Sequence, residues 1–274
     1  MFVDVEEDTF NIAVHSLAKA VETAGDEGLR PAGVIAVDLF GHPADYRGIA
    51  EVAGARGLWV IADAAQSLGA TYHGRPAGSL ADATATSFFP SKPLGCYGDG
   101  GAILTEDTDM ADDLRSLRAH GRGAHKYDAM RIGMNSRLDT MQAAVLLAKL
   151  EVFTHELGSR TAIAERYSRH LQDVITVPVT SAGISSAWAQ YTIRTPNRDR
   201  VVKDLAKVGV QTAVYYPQPL HRQAAYAAFP TAPGGLAVAE RLSGEVLSLP
   251  IHPYLSREEQ DRVIAAVRHA AGET

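Results

Sequence analysis

Apolar runs and helical stripes alternate along the first half of the chain. Val34-Ile35-Ala36-Val37, within 33–39, is an unbroken apolar run, the pattern of a strand covered on both faces. The stretches 58–62 and 84–89 repeat it, the second rich in Thr and Phe, and 101–105 is a further short strand. Phe2-Val3-Asp4-Val5 reads as another strand at the very start. Residues 12–24, 43–56 and 108–120 carry helical spacing, with Pro43 near a first turn. Strand and helix in alternation predict an α/β fold built on a large, mostly parallel sheet. From Ser136 the pattern changes. Leu138, Met141, Ala144, Val145, Leu147 and Ala148 share one helical face, which predicts a helix running past Leu150 and a second from about 159 to 171. These link to a smaller α+β domain with a strand near 190–193, a helix over 199–207, a strand over 212–216 and a closing helix over 257–271. Ser256 and Glu259 read as a capping box at that last helix. The predicted division is a large domain over 1–152, then a linker helix and small domain over 153–274.

Composition narrows the function. The 274 residues are 46% hydrophobic and 21% charged, an ordinary globular balance. A net charge of −6 excludes a general nucleic-acid binder, which needs a basic patch, but leaves room for an anionic substrate met by a few local cations. Cys96 is the single cysteine, so no intrachain disulfide is possible, and a reducing cytoplasm is the expected setting. No apolar run approaches the ~18 residues of a membrane span, and the start lacks the pattern of a signal peptide. A chain that begins inside a strand reads as one that lacks its front.

The candidate chemistry lies at two strand ends. Asp63 closes the apolar run Val60-Ile61-Ala62, and Lys92, twenty-nine residues on, follows Ser87-Phe88-Phe89-Pro90-Ser91 and precedes a Gly-rich stretch. That pairing is how an enzyme holds pyridoxal phosphate. A lysine amine forms a Schiff base with the cofactor aldehyde, and a carboxylate pairs with the pyridine nitrogen and keeps the ring an electron sink. Such a lysine must be neutral to attack, so burial or nearby positive charge has to lower its pKa. Each residue also has a plainer reading. Asp63 serves equally as the N-cap of the segment after it, Gln66 as a ring-hydroxyl donor or a solvated side chain, and Ser87 as a phosphate ligand or a backbone-bonded hydroxyl. Gly98, Gly100 and Gly101 allow close backbone approach to a ligand or a tight turn. Asn135 or Ser136 is placed to cap the helix that follows, and Arg137 to bind a carboxylate or phosphate. His120, His221 and His252 have no metal-ligand spacing, and no metal is expected.

Four runs in order, Asp63-Ala64-Ala65-Gln66, Ser87 to Lys92, Gly98-Asp99-Gly100-Gly101 and Asn135-Ser136-Arg137-Leu138-Asp139, resemble the DegT/DnrJ/EryC1/StrS sugar aminotransferases, members of the fold-type I pyridoxal-phosphate enzymes. The resemblance extends through Tyr215-Tyr216-Pro217 and Ser248-Leu249-Pro250-Ile251-His252-Pro253-Tyr254. The Lys loop and the Tyr-Pro segment look most like aminotransferases of a UDP-3-keto-sugar uronate in bacterial surface polysaccharide (lipopolysaccharide) synthesis. The resemblance implies that Lys92 carries the cofactor and moves protons, Asp63 pairs with the pyridinium, Gln66 contacts the ring and Ser87 holds the phosphate. It implies further that Asn135 reaches the phosphate of a partner copy in a homodimer, that Arg137 meets a substrate carboxylate, and that Tyr215 and Tyr216 line the substrate side. Tyr215 stands where relatives of this kind carry His. The resemblance also implies a preceding segment with a Gly-Thr phosphate loop, supplied by a longer protein or a second chain. Its loss is expected to weaken cofactor binding.

The implied activity is transfer of an amino group from glutamate to a keto nucleotide sugar. The alternative is a catalytically inactive fragment or homologue of the same fold. A related sugar dehydratase typically has His where Lys92 stands, and a nicotinamide Rossmann enzyme needs a G-x-G-x-x-G between strand and helix that is not present.

Overall fold

The computed structural model describes residues 1–125 and 127–272. In chain order the elements are α1 (Val14–Thr23), β1 (Gly33–Val37), α2 (Tyr46–Gly54), β2 (Trp59–Asp63), β3 (Thr71–Tyr72), β4 (Arg75–Pro76), β5 (Ala83–Ser87), β6 (Gly101–Leu104), α3 (Thr108–Leu117), α4 (Thr140–Leu171), β7 (Ile184–Ser185), β8 (Tyr191–Arg194), α5 (Arg198–Lys207), α6 (Ala237–Glu245), β9 (Val246–Leu249) and α7 (Arg257–Gly272). The main sheet has the order β1-β2-β5-β6. The first three strands run parallel, as the apolar runs predict, and β6 is antiparallel to β5, with Ser87 opposite Gly101. The register sets Val37 beside Asp63, so β1 and β2 end side by side.

One face of this sheet is buried. Val34, Ala36, Val60 and Ala62 pack against Leu17 of α1 and Tyr46, Ile49 and Ala53 of α2. The other face is apolar but open, with Ile35 at 62% and Trp59 at 45% exposure. The expectation of burial on both faces therefore holds for one face only, because both packing helices lie on the same side. A second and larger core joins α4, α5, α7, β8 and β9 around Tyr167, Leu171, Tyr191, Leu205, Leu247 and Val267.

Three expectations are corrected. Residues 140–171 form one helix of 32 residues and not two. The apolar stripe lapses near His155 and Glu156, and Gly158 reads as a break, but a helical Gly costs only about 1 kcal/mol and a long packed helix absorbs it. Its N-cap is Asp139, not Asn135 or Ser136. The expected strands over 2–5 and 212–216 reduce to isolated bridges, Phe2 with Thr231, Val5 with Ile12 and Ala213 with Ser248. Asp4 has a different task. Its carboxylate accepts from the Val238 and Ala239 amides at 3.1 and 2.9 Å, satisfying the free N–H groups that open α6. The capping box forms as read. Glu259 accepts from the Ser256 amide at 2.8 Å, and Ser256 Oγ accepts from the Glu259 amide at 3.2 Å. No helix of the described residues is long and apolar enough to cross a membrane.

Candidate active site

Asp63 ends β2 where the apolar run stops, and in open α/β sheets ligands bind beyond such strand ends. The chain turns at once. Asp63 Oδ1 accepts from the Ala65 amide at 3.0 Å, a local side-chain turn. The turn 63–67 is gripped from both neighbouring strands. From the β5 side, the Ala64 amide donates to Ala85 O at 2.8 Å and Thr86 Oγ1 donates to Ala64 O at 3.1 Å. From the β1 side, the Asp38 amide donates to Asp63 O at 3.0 Å. Gln66 is buried, and its Oε1 accepts from the Phe40 amide at 2.6 Å. It is thus not a solvated side chain. Its oxygen belongs to the scaffold, and only its NH₂ end is left to donate.

The loop carrying Lys92 leaves β5 at Ser87, whose Oγ accepts from the Phe89 amide at 3.2 Å. Both readings of Ser87 survive, since its own hydrogen is still available to an anion. The Lys92 amide donates to Phe89 O at 2.9 Å, and the loop then folds back tightly. A Cβ on Gly95 would stand 2.6 Å from Pro90 O, and one on Gly101 2.7 Å from Thr86 O, so these glycines serve close approach between backbones. Buried Cys96 sits in the fold-back, its Sγ 3.0 Å from both Phe88 O and Gly98 O, which share its one thiol hydrogen. Helix α4 braces the loop from outside. Lys149 Nζ donates to Gly95 O at 2.6 Å, and Gln142 Oε1 accepts from the Tyr97 amide at 2.8 Å.

Burial lowers the pKa of Lys92, and the negative charge of Asp63 partly opposes that shift. The amine is thereby moved toward the neutral form that attacks a carbonyl carbon. Asp63 also acts on Tyr216, whose hydroxyl is pushed up by burial first and then by Tyr215 and Asp63. Asp63 at the end of β2 and the Lys92 loop after β5 leave neighbouring strands, the charge of Asp63 reaches both Lys92 and Tyr216, and the Tyr215 ring lies 5.7 Å from that of Tyr216. Asn135 and Arg137 are placed differently. Both are exposed, and the guanidinium donates twice to Asn135 Oδ1, at 3.1 and 2.9 Å. Among the hydrogen bonds of the described residues, none joins this pair to Lys92 or Asp63.

Three residues that hold the site escape a reading of the sequence. Asp38 had a signal, since it closes the run 34–37 just as Asp63 closes the run 60–62. Gln142 and Lys149 had none, because they act on a loop more than forty positions away.

The DegT/DnrJ/EryC1/StrS aminotransferase family model matches residues 1–268. UDP-2-acetamido-2-deoxy-3-oxo-D-glucuronate aminotransferase of Pseudomonas aeruginosa is 42% identical over 268 residues, covering 97% of this chain and 72% of its own length. Among solved structures, a DegT/DnrJ/EryC1/StrS aminotransferase from Brucella abortus superposes with a TM-score of 0.97 at 48% identity, covering all of this chain and 74% of its own. DesV of S. venezuelae superposes with a TM-score of 0.91 at 39% identity, covering 99% of this chain and 72% of its own. The chain belongs to the DegT/DnrJ/EryC1/StrS aminotransferase family, has its fold, and shares its cofactor, pyridoxal phosphate. Its donor set fits the reactive end of that cofactor, with the pKa of the lysine amine lowered by burial and a carboxylate at the end of the adjacent strand acting on it.

Proposed function

We propose that this aminotransferase moves an amino group onto the keto carbon of a nucleotide sugar, with Lys92 and Asp63 at its centre. The observation that carries the reading is a half-buried lysine of lowered pKa in the loop that leaves β5, within the field of the carboxylate that ends the adjacent strand β2. When bound there, pyridoxal phosphate supplies an electron sink for the carbon that gains or loses the amine. Lys92 would hold it and would move a proton at the reacting carbon, a role that suits a group poised toward neutrality. Asp63 would keep the ring nitrogen protonated. Gln66 would donate to the ring from its NH₂, and Ser87 would donate to the phosphate.

A UDP-3-keto uronate as substrate follows the name of the Pseudomonas relative. Arg137, Tyr215 and Tyr216 would then recognise it, the arginine through the carboxylate. Glutamate is the proposed donor and bacterial surface polysaccharide synthesis the proposed setting. A homodimer, with Asn135 delivered to the phosphate of the second copy, is supported by the apolar residues exposed around it. Ile132 is 97% exposed, Met141 79% and Met130 72%, three large apolar side chains left open close together in the chain. The division at 152/153 is supported by the two separate apolar cores.

The test is absorbance of the purified chain with pyridoxal phosphate, before and after glutamate, followed by turnover of a UDP-3-keto uronate. Lys92→Ala is expected to lose the bound-cofactor band and to cut turnover by about 10³-fold or more. Equal turnover by Lys92→Ala would sink the mechanism. A wild-type chain that binds no cofactor is an inactive homologue instead.

A further inference from the structure

Asp38 is fully buried at the end of β1, and no step of the reaction proposed above uses it. A carboxylate in such a place must be met by donors, and three arrive. Oδ1 accepts from the Ala44 amide at 2.9 Å and from Tyr46 Oη at 2.8 Å, and Oδ2 accepts from Ser67 Oγ at 2.6 Å. Two of its bonds fall on the far ends of one short segment. The Asp38 amide holds Asp63 O, and the Asp38 side chain holds Ser67, four residues on. Between these anchors lie Asp63 and Gln66. The neighbouring residues of the same loop complete the grip. Phe40, in a left-handed conformation at φ 62°, donates its amide to Gln66 Oε1. Asn11 fixes that loop in turn, accepting from the Leu39 amide and donating to His42 O, both at 2.8 Å.

We infer that Asp38 is a positioning residue for the cofactor carboxylate: by clamping both ends of the turn 63–67 through Asp63 O and Ser67 Oγ, it fixes where Asp63 stands. This rests on the cofactor reading given above. The physical reason for a buried carboxylate is the number of donors it must serve. A carboxylate only accepts and has lone pairs for all three, whereas an alanine would leave the Ala44 amide, Tyr46 Oη and Ser67 Oγ in search of partners. A turn released from one anchor spends part of its time with Asp63 displaced. The apparent affinity for a ligand that needs Asp63 falls by the fraction of time the turn is in place.

The experiment measures the dissociation constant of pyridoxal phosphate, the pH at which its bound absorbance titrates, and the urea midpoint of the cofactor-free chain, for five proteins. Ser67→Ala removes one anchor and is expected to weaken binding by roughly tenfold and to shift the absorbance titration, with a small change in urea midpoint. Asp38→Asn retains the side chain's shape, with Oδ1 accepting and Nδ2 donating to Ser67 Oγ, and is expected to stay within about threefold of wild type. Asp38→Ala is expected to bind more weakly than Ser67→Ala. Tyr46→Phe removes a donor that touches Asp38 but not the turn, so its affinity should match wild type. Should Asp38→Ala fail to fold, the contrast of Ser67→Ala with Tyr46→Phe decides alone. Wild-type affinity and titration in Ser67→Ala overturn the inference, and so does a Tyr46→Phe loss as large as that of Ser67→Ala. A wild-type chain with no Lys92-dependent binding overturns the cofactor assignment and this inference with it. Wild-type binding with indifferent variants overturns the positioning role alone.

Discussion

The turn that carries Asp63 and the loop that carries Lys92 leave neighbouring strands but are held by different means. The turn is set into the sheet. Strands on both sides bond to it, and the side chains that anchor it, Asp38 and Ser67, are fully buried over the core of Ile49, Val60 and Ala62. The loop is an excursion, closed on itself by Cys96 and braced at two points by a helix from another part of the chain. Beneath it lies a smaller cluster of Leu94, Cys96 and Leu146, with Leu68, Phe88, Leu138 and Phe153 packed against it. In the proposed reaction, a carboxylate that would hold one proton in one place suits the first support. An amine that would move a proton suits the second, which is braced by a helix and not set between two strands.

The difference can be broken most severely from the core side. Ile49→Ala, at a position with no exposure, should cost about 3 kcal/mol of stability, read as a lowered urea midpoint with an unchanged slope. A loss below about 1 kcal/mol would show that the sheet does not anchor the Asp63 turn as described.

A second test uses protons. Burial raises the Asp38 pKa to about 6, against the pull of its bonds from Ser67, Ala44 and Tyr46, and the charge of Asp63 adds to the rise. The folded state then binds a proton that the unfolded state has released, so this group's stabilising effect is complete below about pH 4 and is lost as pH rises through about 6. Asp38→Asn does not titrate. Between pH 4 and 7 the stability difference should move toward the variant by roughly 2–3 kcal/mol, followed by paired urea melts across pH. A difference that stays flat with pH would place the Asp38 titration outside this window.

The loop side should respond differently. Lys149→Met and Gln142→Ala each remove one brace and should weaken cofactor binding about fivefold while lowering global stability by no more than about 1 kcal/mol. If either instead unfolds the protein, α4 is part of the foundation and the contrast between the two supports fails. The smallest effect is expected far from both. Ser256→Ala deletes the α7 capping box and should cost about 1 kcal/mol without altering cofactor affinity.

What the sequence determined by itself was local in range. Asp63 is marked by the apolar run that stops at it, Lys92 by the Gly-rich stretch that follows it, and the Ser256 box by a spacing of three. Strands β1 and β2 follow from unbroken apolar runs and β5 from its Thr-rich composition, marks carried by consecutive residues. What only the tertiary structure decided involves partners far apart in the chain. Asp38 meets Ser67 twenty-nine positions away, Lys149 meets Gly95 at fifty-four, and Asp4 caps a helix more than two hundred residues downstream. Gln66 was a candidate from the sequence, but that its oxygen accepts from Phe40 follows from how two strand ends abut. The physical reason is that secondary structure writes a period into the sequence. A hydrogen bond between separate elements leaves only two polar residues, each with a plausible life on the surface, until packing brings them together.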